Sequence, residues 1–388
     1  MKSNIIVLLI SLTLGLLICE SAVRIIRPAS DIFPANPVTD PILGHRLLPF
    51  QSGHDARGLR NNSAEGYFPV VCIGDSQIYG TSIPRHAAIP QQLGAIIKQP
   101  VYNMALGGYG PIQYYQLFLD SRKMKPLTTI IAIYLGNDLL DAYFMAIRHG
   151  YWKWLLKKIG DENELSIISR CSLPYEHSFQ KVEYQDPETI TTKMKEGGSI
   201  IYKIHAALRL HSALYALSYE GLVKPLIQRI FERSVHLQLP GAFYTPQVDT
   251  IFTPGIRLRV LDLKDERVRI GLLLTKRIIE LMAESVKGKN ELTFIFIPTK
   301  ENVYYDFLRD KKIALPAEYE CLVHYEREIT KWLSKIITAN GLGLVDIFPP
   351  LTKAVAEGEV LYHHSSDGHA NAVGNRIIAT SISRALPK

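Results

Sequence analysis

Ser76 lies in the run VVCIGDSQIYG, three positions past the apolar stretch Val70–Ile73. A serine at the end of a buried strand presents its hydroxyl beyond the sheet, where it can attack a carbonyl carbon. Such an attack needs a base, and Ser366-Asp367-Gly368-His369-Ala-Asn371 supplies one near the other end of the chain. His369 can take the serine proton, and Asp367 can orient the ring and stabilise the imidazolium. The oxyanion that forms needs fixed N–H donors, and two segments offer them. In Val101-Tyr-Asn103-Met-Ala-Leu-Gly107-Gly108-Tyr-Gly110-Pro111 the glycines allow backbone N–H groups to approach closely, and Gly136-Asn137-Asp138 places a side-chain amide just past another apolar run. Each piece alone reads equally as a turn or a cap: Asp and Ser cap helices, Gly, Asn and Pro make turns, and His363 and His364 show that loop histidines are common here. Nucleophile, donors, acid and base nevertheless fall at strand ends in one order, with no competing set.

The elements that must position them follow from the hydropathy pattern. Short apolar runs at Val70–Ile73, Thr128–Leu135, Leu292–Ile297 and Leu342–Ile347 suit strands buried on both faces. Helical patterns at 87–98, 111–123, 267–287, 319–340 and 371–385 alternate with them. This predicts an α/β chain, a three-layer α/β/α sandwich around a central parallel sheet. The span from about 143 to 265 breaks the alternation and reads as a large, mainly helical insertion folding as a cap or side subdomain. Within it, Trp152 and Trp154 sit at helical spacing, which reads as a packing face, with membrane or substrate contact as the alternative.

Over roughly residues 68–385 the chain resembles the SGNH hydrolases, also called GDSL-type esterases. The resemblance implies a flavodoxin-like SGNH fold and a serine esterase acting through an acyl-enzyme, with no metal and no organic cofactor. Ser76 matches the nucleophile of the GDS block, and its N–H would join the oxyanion hole. Gly108, five residues after Asn103, matches the second donor, with Gly107 beside it as the other reading; Asn137 matches the asparagine of the G-x-N-D block. His369 matches the base and Asp367 its partner, although the family's usual spacing is D-x-x-H and this chain has D-x-H. A second stretch, Phe296-Ile-Pro298-Thr-Lys300-Glu-Asn-Val-Tyr304, looks like the P-x-K-x-x-V-Y segment of SGNH-like proteins that O-acetylate alginate and related exopolysaccharides. In those proteins the acid and histidine precede the serine, and here they follow it. Lys300 is therefore read as a surface lysine, with substrate contact as the alternative.

The 388 residues are 47% hydrophobic and 21% charged, enough for a substantial core. The net charge is +7, but Lys and Arg are scattered, which argues against nucleic acid and leaves attraction to an anionic polymer or surface open. Lys2 and the apolar run Ile5–Cys19 form a targeting segment, short of the ~20 residues of a full span unless Val23, Ile25 and Ile26 extend it past Glu20 and Arg24. No A-x-A site precedes Ser21 or Ala22, and Ile18 before Cys19 disfavours a lipoprotein site, so residues 1–27 read as an uncleaved membrane anchor, with a cleaved signal as the alternative. Residues 28–66, rich in Pro, Asp, Asn and Gly, read as an extended tether, and 67–388 as the SGNH-like domain carrying the insertion. That layout places the domain outside the cytoplasm, periplasmic or at the cell surface. Among Cys19, Cys72, Cys171 and Cys321 no C-x-x-C spacing occurs, and Cys171 with Cys321 is the pair to test. The partners expected are an ester-bearing small molecule or polysaccharide and, through the N-terminal segment, the membrane; nothing in the sequence signals an oligomeric state. Hydrolase and O-acyltransferase share every residue named, and a non-catalytic binding or assembly protein is the rival class.

Overall fold

The computed structural model describes residues 2–26, 29–32, 37–174, 200–223, 226, 242–286 and 291–386. In chain order these form α1 (Lys2–Ile26), two short strands β1 (Val38–Asp40) and β2 (Gly44–Arg46), β3 (Val70–Gly74), α2 (Ser76–Tyr79), α3 (Ile89–Ile97), β4 (Val101–Ala105) and α4 (Pro111–Ser121). There follow β5 (Thr128–Tyr134), α5 (Asp138–Arg148), α6 (Ile200–His211), α7 (Ala213–Ser218), the hairpin β6 (Phe243–Thr245) and β7 (Val248–Phe252), and α8 (Pro254–Leu258). The chain closes with α9 (Glu266–Glu284), β8 (Leu292–Ile297), α10 (Lys300–Asp310), α11 (Ala317–Ala339), β9 (Gly343–Val345), α12 (Phe348–Ala356) and α13 (Ala372–Ala385).

The chain divides into two compact units. One comprises Met1–Val38, Leu47–Ala64 and Gln185–Arg233; the other comprises Thr39–Arg46, Glu65–Tyr184 and Ser234–Lys388. The second is built on a five-stranded sheet of order β4-β3-β5-β8-β9, every pair parallel. Counted along the chain this reads 2-1-3-4-5, so the order reverses beside β3 and leaves a crevice past the carboxyl ends of β3 and β5. Both strands are buried along their whole length. The two-residue period decides what covers each face. Val70, Cys72, Ile130, Ala132, Tyr134, Ile295 and Ile297 share a cluster with Ile89 of α3, Leu308 of α10, Leu351 of α12 and Ile378 of α13. Val71, Ile73, Ile131 and Ile133 point the other way and are at most 1% exposed. On that side α4 lies on β3 and β5 and packs with α5 and α9. The expected α/β architecture with a parallel central sheet flanked by helices is what the chain adopts.

Local chemistry shifts some boundaries. The apolar run Leu342–Ile347 is a strand only over Gly343–Val345, because Asp346 Oδ1 accepts the N–H of Phe348 at 3.0 Å and opens α12. The insertion is less separate than its sequence suggests: its described ends, residues 143–174 and 242–265, group with the sheet, including the short helical run that holds Trp152 and Trp154. Trp152 is a packing residue, 2% exposed, with Nε1 donating to Ile42 O at 2.6 Å; Trp154 is 37% exposed. Part of the insertion, residues 175–199 and 227–241, lies outside the described residues. Cys171 and Cys321 form a disulfide that ties the insertion's first part to α11.

The segment 28–66 carries more structure than a tether. Its β1–β2 stretch groups with the sheet unit. Within the first unit Asp55 gathers the turn 55–61: its Oδ1 accepts from Arg57 N at 2.8 Å and Leu59 N at 3.0 Å, and Oδ2 from Asn61 Nδ2 at 3.0 Å. Arg60 pairs with Asp31 at 2.7 Å with both side chains buried. In the same unit Glu20 of α1 accepts from Ala213 N at 2.7 Å and Leu214 N at 2.8 Å, capping α7. Arg24 holds the same carboxylate at 2.7 Å. Helix α1 is long and apolar enough over Asn4–Ile26, with mean hydropathy 2.4, to serve as a membrane anchor or signal.

Candidate functional site

The site elements all belong to the sheet unit. Gly74 ends β3, and Asp75, fully buried, caps α2 by accepting the N–H of Gln77 at 2.9 Å. This places Ser76, partly exposed, as the first residue of α2 at the mouth of the crevice. Asn103 of β4 fixes that short helix by donating Nδ2 to Ile78 O at 3.1 Å. Ser76 Oγ donates to Asp75 Oδ2 at 3.3 Å; the hydroxyl is turned toward Asp75 and not toward His369. Burial raises the Asp75 pKa, with the Gln77 amide and the nearby His369 working against it.

Asp367 and His369 meet directly. His369 Nδ1 lies 2.5 Å from Asp367 Oδ1, and the same oxygen accepts the backbone N–H of His369 at 3.0 Å. The one-residue gap of D-x-H therefore makes a tight turn in which a single carboxylate oxygen receives both donors, while Oδ2 accepts from Ser82 Oγ at 2.8 Å. Burial pushes the Asp367 carboxyl up, but the hydrogen bond and charge of His369, with help from Ser82, outweigh it and hold the group well below the usual carboxylate range. Since a carboxylate only accepts, Nδ1 carries the ring proton and Nε2 is the basic nitrogen. His369 Nε2 is buried and makes no hydrogen bond. Gln77 Nε2 donates to Gly368 O at 3.2 Å, joining the helix of Ser76 to the turn of His369.

Lys300 overturns its reading as a surface lysine. It is 1% exposed, and Nζ donates to Ser365 O at 2.7 Å and Asp367 O at 3.0 Å. At the start of α10 it holds the turn that carries Asp367 and His369.

Gly108 adopts φ +77°, which favours glycine. The carbonyl of Gly107 accepts from His45 Nε2 at 2.9 Å, and Tyr109 returns a hydrogen bond to His45 O at 2.9 Å. The chain contains no cis peptide among the described residues, so the Gly108 N–H points opposite to the Gly107 carbonyl. His45 thus fixes the plane of the peptide whose N–H is the expected donor. A Cβ built on Gly107 would stand 3.7 Å from Ser76 Cβ, which puts this loop against the serine.

Asn137 is the residue before α5, and its Nδ2 donates to Asp141 Oδ2 at 2.6 Å, leaving the second amide hydrogen for another acceptor. Its Oδ1 is buried with no partner. Burial drives Asp141 up to about 8, against the lowering effect of the Asn137 bond. Asp138 is fully buried, accepts from Tyr114 Oη and Tyr134 N at 2.9 Å each, and is pushed well above its ordinary value by burial and by Asp75. Gly136 must be glycine because a Cβ there would lie 2.2 Å from the Tyr134 ring.

Ser76, Gly108, Asn137, Asp367 and His369 thus stand on the loops that follow β3, β4 and β5 and on the turn before α13. His45, Arg257 and Asp141 had no signal of their own in the sequence. Arg257 of α8 reaches Gly136 O with Nη1 at 3.3 Å and lies 5.9 Å from the Tyr134 ring centre. Among the described residues no group of three or more His, Cys, Asp or Glu side chains is arranged to hold a metal ion. No protein-family model and no curated protein matches the chain.

Proposed function

We propose that this chain is a membrane-anchored serine esterase of the SGNH type, cleaving acyl esters on an envelope or exported polysaccharide through an acyl-enzyme. The observation that carries the reading is the Asp367–His369 pair, bonded through Nδ1 with Nε2 unused, on a turn hydrogen-bonded to the helix that begins at Ser76. The sheet order, with the serine beyond the strand where the order reverses, supports the flavodoxin-like form of that fold. The apolar α1 supports the anchor, and the Cys171–Cys321 disulfide fits an oxidising compartment outside the cytoplasm.

In this mechanism Ser76 Oγ rotates from Asp75 to His369 Nε2, gives up its proton there and bonds to the ester carbonyl carbon. The carbonyl oxygen becomes an oxyanion held by the N–H groups of Ser76 and Gly108 and the amide of Asn137. His369 returns the proton to the departing alcohol as the carbon–oxygen bond breaks, leaving the acyl group on Ser76. Water, activated by the same ring, releases it as the acid; a sugar hydroxyl in its place would make the same residues an O-acyltransferase. A fluorophosphonate probe is expected to label the wild-type chain once, on the peptide containing Ser76, and p-nitrophenyl acetate to release p-nitrophenol. No label on that peptide in folded protein would overturn the reading and favour a binding protein.

His45 has a consequence of its own. His45→Phe is expected to lower kcat by about 10²-fold with little change in KM, because loss of one oriented oxyanion donor costs roughly that much. His45→Gln, which keeps an N–H donor, should recover most of it. Equal losses in both variants, or a loss confined to KM, would mean that the ring only fills space.

A further inference from the structure

We infer that Arg257 makes this a site for anionic esters, its guanidinium binding a carboxylate or similar oxyanion carried by the substrate next to the scissile bond. The inference rests on the acyl-transfer reading for the bond that breaks, but its observations are independent. The guanidinium lies between the two loops that bear the expected donor and base. Nη1 donates to Gly136 O, the residue before Asn137, and a Cβ built on Gly368, the residue before His369, would stand 2.8 Å from Nη2.

Five N–H donors meet a single long hydrogen bond, 3.3 Å, and the face of Tyr134. Among the described residues no carboxylate forms an ion pair with Arg257; Glu301, Asp367 and Asp75 act on it only at longer range. No Arg257 nitrogen is both buried and unpartnered, so the donors not engaged with Gly136 O are left for water or for an anion from outside the chain. The residue is partly exposed, so the ligand can come from solvent. Its helix is held in place from below, Thr253 N donating to Glu301 Oε1 at 2.8 Å just before α8 begins. The planar fork matches a carboxylate in two parallel hydrogen bonds. The net charge of +7 would add a weaker general attraction for acidic polymers.

The test compares matched esters. 3-Acetoxybenzoate and its neutral methyl ester place the charge on the alcohol side; mono-p-nitrophenyl glutarate and p-nitrophenyl pentanoate place it on the acyl side. The wild-type protein should favour at least one anionic member by about tenfold or more in kcat/KM, and Arg257→Met should erase that preference while leaving the neutral esters within about threefold. Arg257→Lys should keep part of it, and added guanidinium ion should restore turnover of the anionic ester by Arg257→Met. Absence of any preference in the wild type, or an equal fall on charged and neutral esters, would overturn the inference. Calorimetric titration of 3-acetoxybenzoate into Ser76→Ala and into Ser76→Ala with Arg257→Met needs no turnover. Binding lost only in the double variant supports the anion site even if the esterase reading fails, and equal or absent binding in both refutes it.

Discussion

Alanine at His369 is expected to reduce p-nitrophenyl acetate turnover by about 10⁴- to 10⁶-fold, and alanine at Ser76 by as much, with the double variant no worse than either. The reason lies in how the pair is built. Asp367 already holds Nδ1 and the backbone N–H of His369 on one oxygen, so the ring is oriented before substrate arrives, and its other nitrogen makes no hydrogen bond within the protein. Removing the ring leaves the Ser76 hydroxyl with Asp75 alone, and a buried carboxyl whose pKa is raised is held toward its neutral form, the wrong state for a base. Some activity should survive both substitutions, because the amide of Asn137 and the N–H of Gly108 do not depend on them. Steady-state kinetics on folded variants decide the matter: a His369→Ala protein within tenfold of wild type would remove His369 from the reaction.

The second large effect concerns stability. Cys171 and Cys321 are 150 residues apart, and closing a loop of that length in the unfolded chain stabilises the native state by about 5 kcal/mol on chain-entropy grounds, within the 2–5 kcal/mol lost when native disulfides are removed. Cys171→Ser and Cys321→Ala are each expected to lower the melting temperature by roughly 6 °C, as is reduction of the wild-type protein. Cys321 is fully buried, so its variant also loses packing, and Cys171→Ser is the cleaner measure of the cross-link. Calorimetric scans with and without reductant check this. Unchanged melting in the reduced wild type would show that the cross-link does not hold the native state together.

The sheet was legible because strands buried on both faces leave unbroken apolar runs, as Val70–Ile73 and Thr128–Leu135 do. Helices α10 and α12 were not. Helix α10 begins where Thr299 caps it by accepting from Asn302 N, in a segment whose charge hides its apolar face, and α12 begins on the carboxylate of Asp346. The residues on strand ends could be named from local patterns because turn chemistry is local. His45 and Arg257 could not, since each meets the site at a backbone carbonyl far away in sequence, Gly107 and Gly136, and a carbonyl leaves no mark on residue type. Lys300 was misread for a related reason. An ammonium buried among carbonyl oxygens looks, in sequence, like any other lysine.

The carboxylate of Glu20 bears on how the chain would be processed. A leader peptidase cutting after Ser21 would carry off the group that now receives the N–H groups of Ala213 and Leu214 and pairs with Arg24, whose guanidinium also reaches His211 O at 2.6 Å. Helix α1 and a helix nearly two hundred residues downstream in the same unit would then be separated after having been built as one piece. An N-terminal helix used in this way is one that the fold has a structural reason to retain.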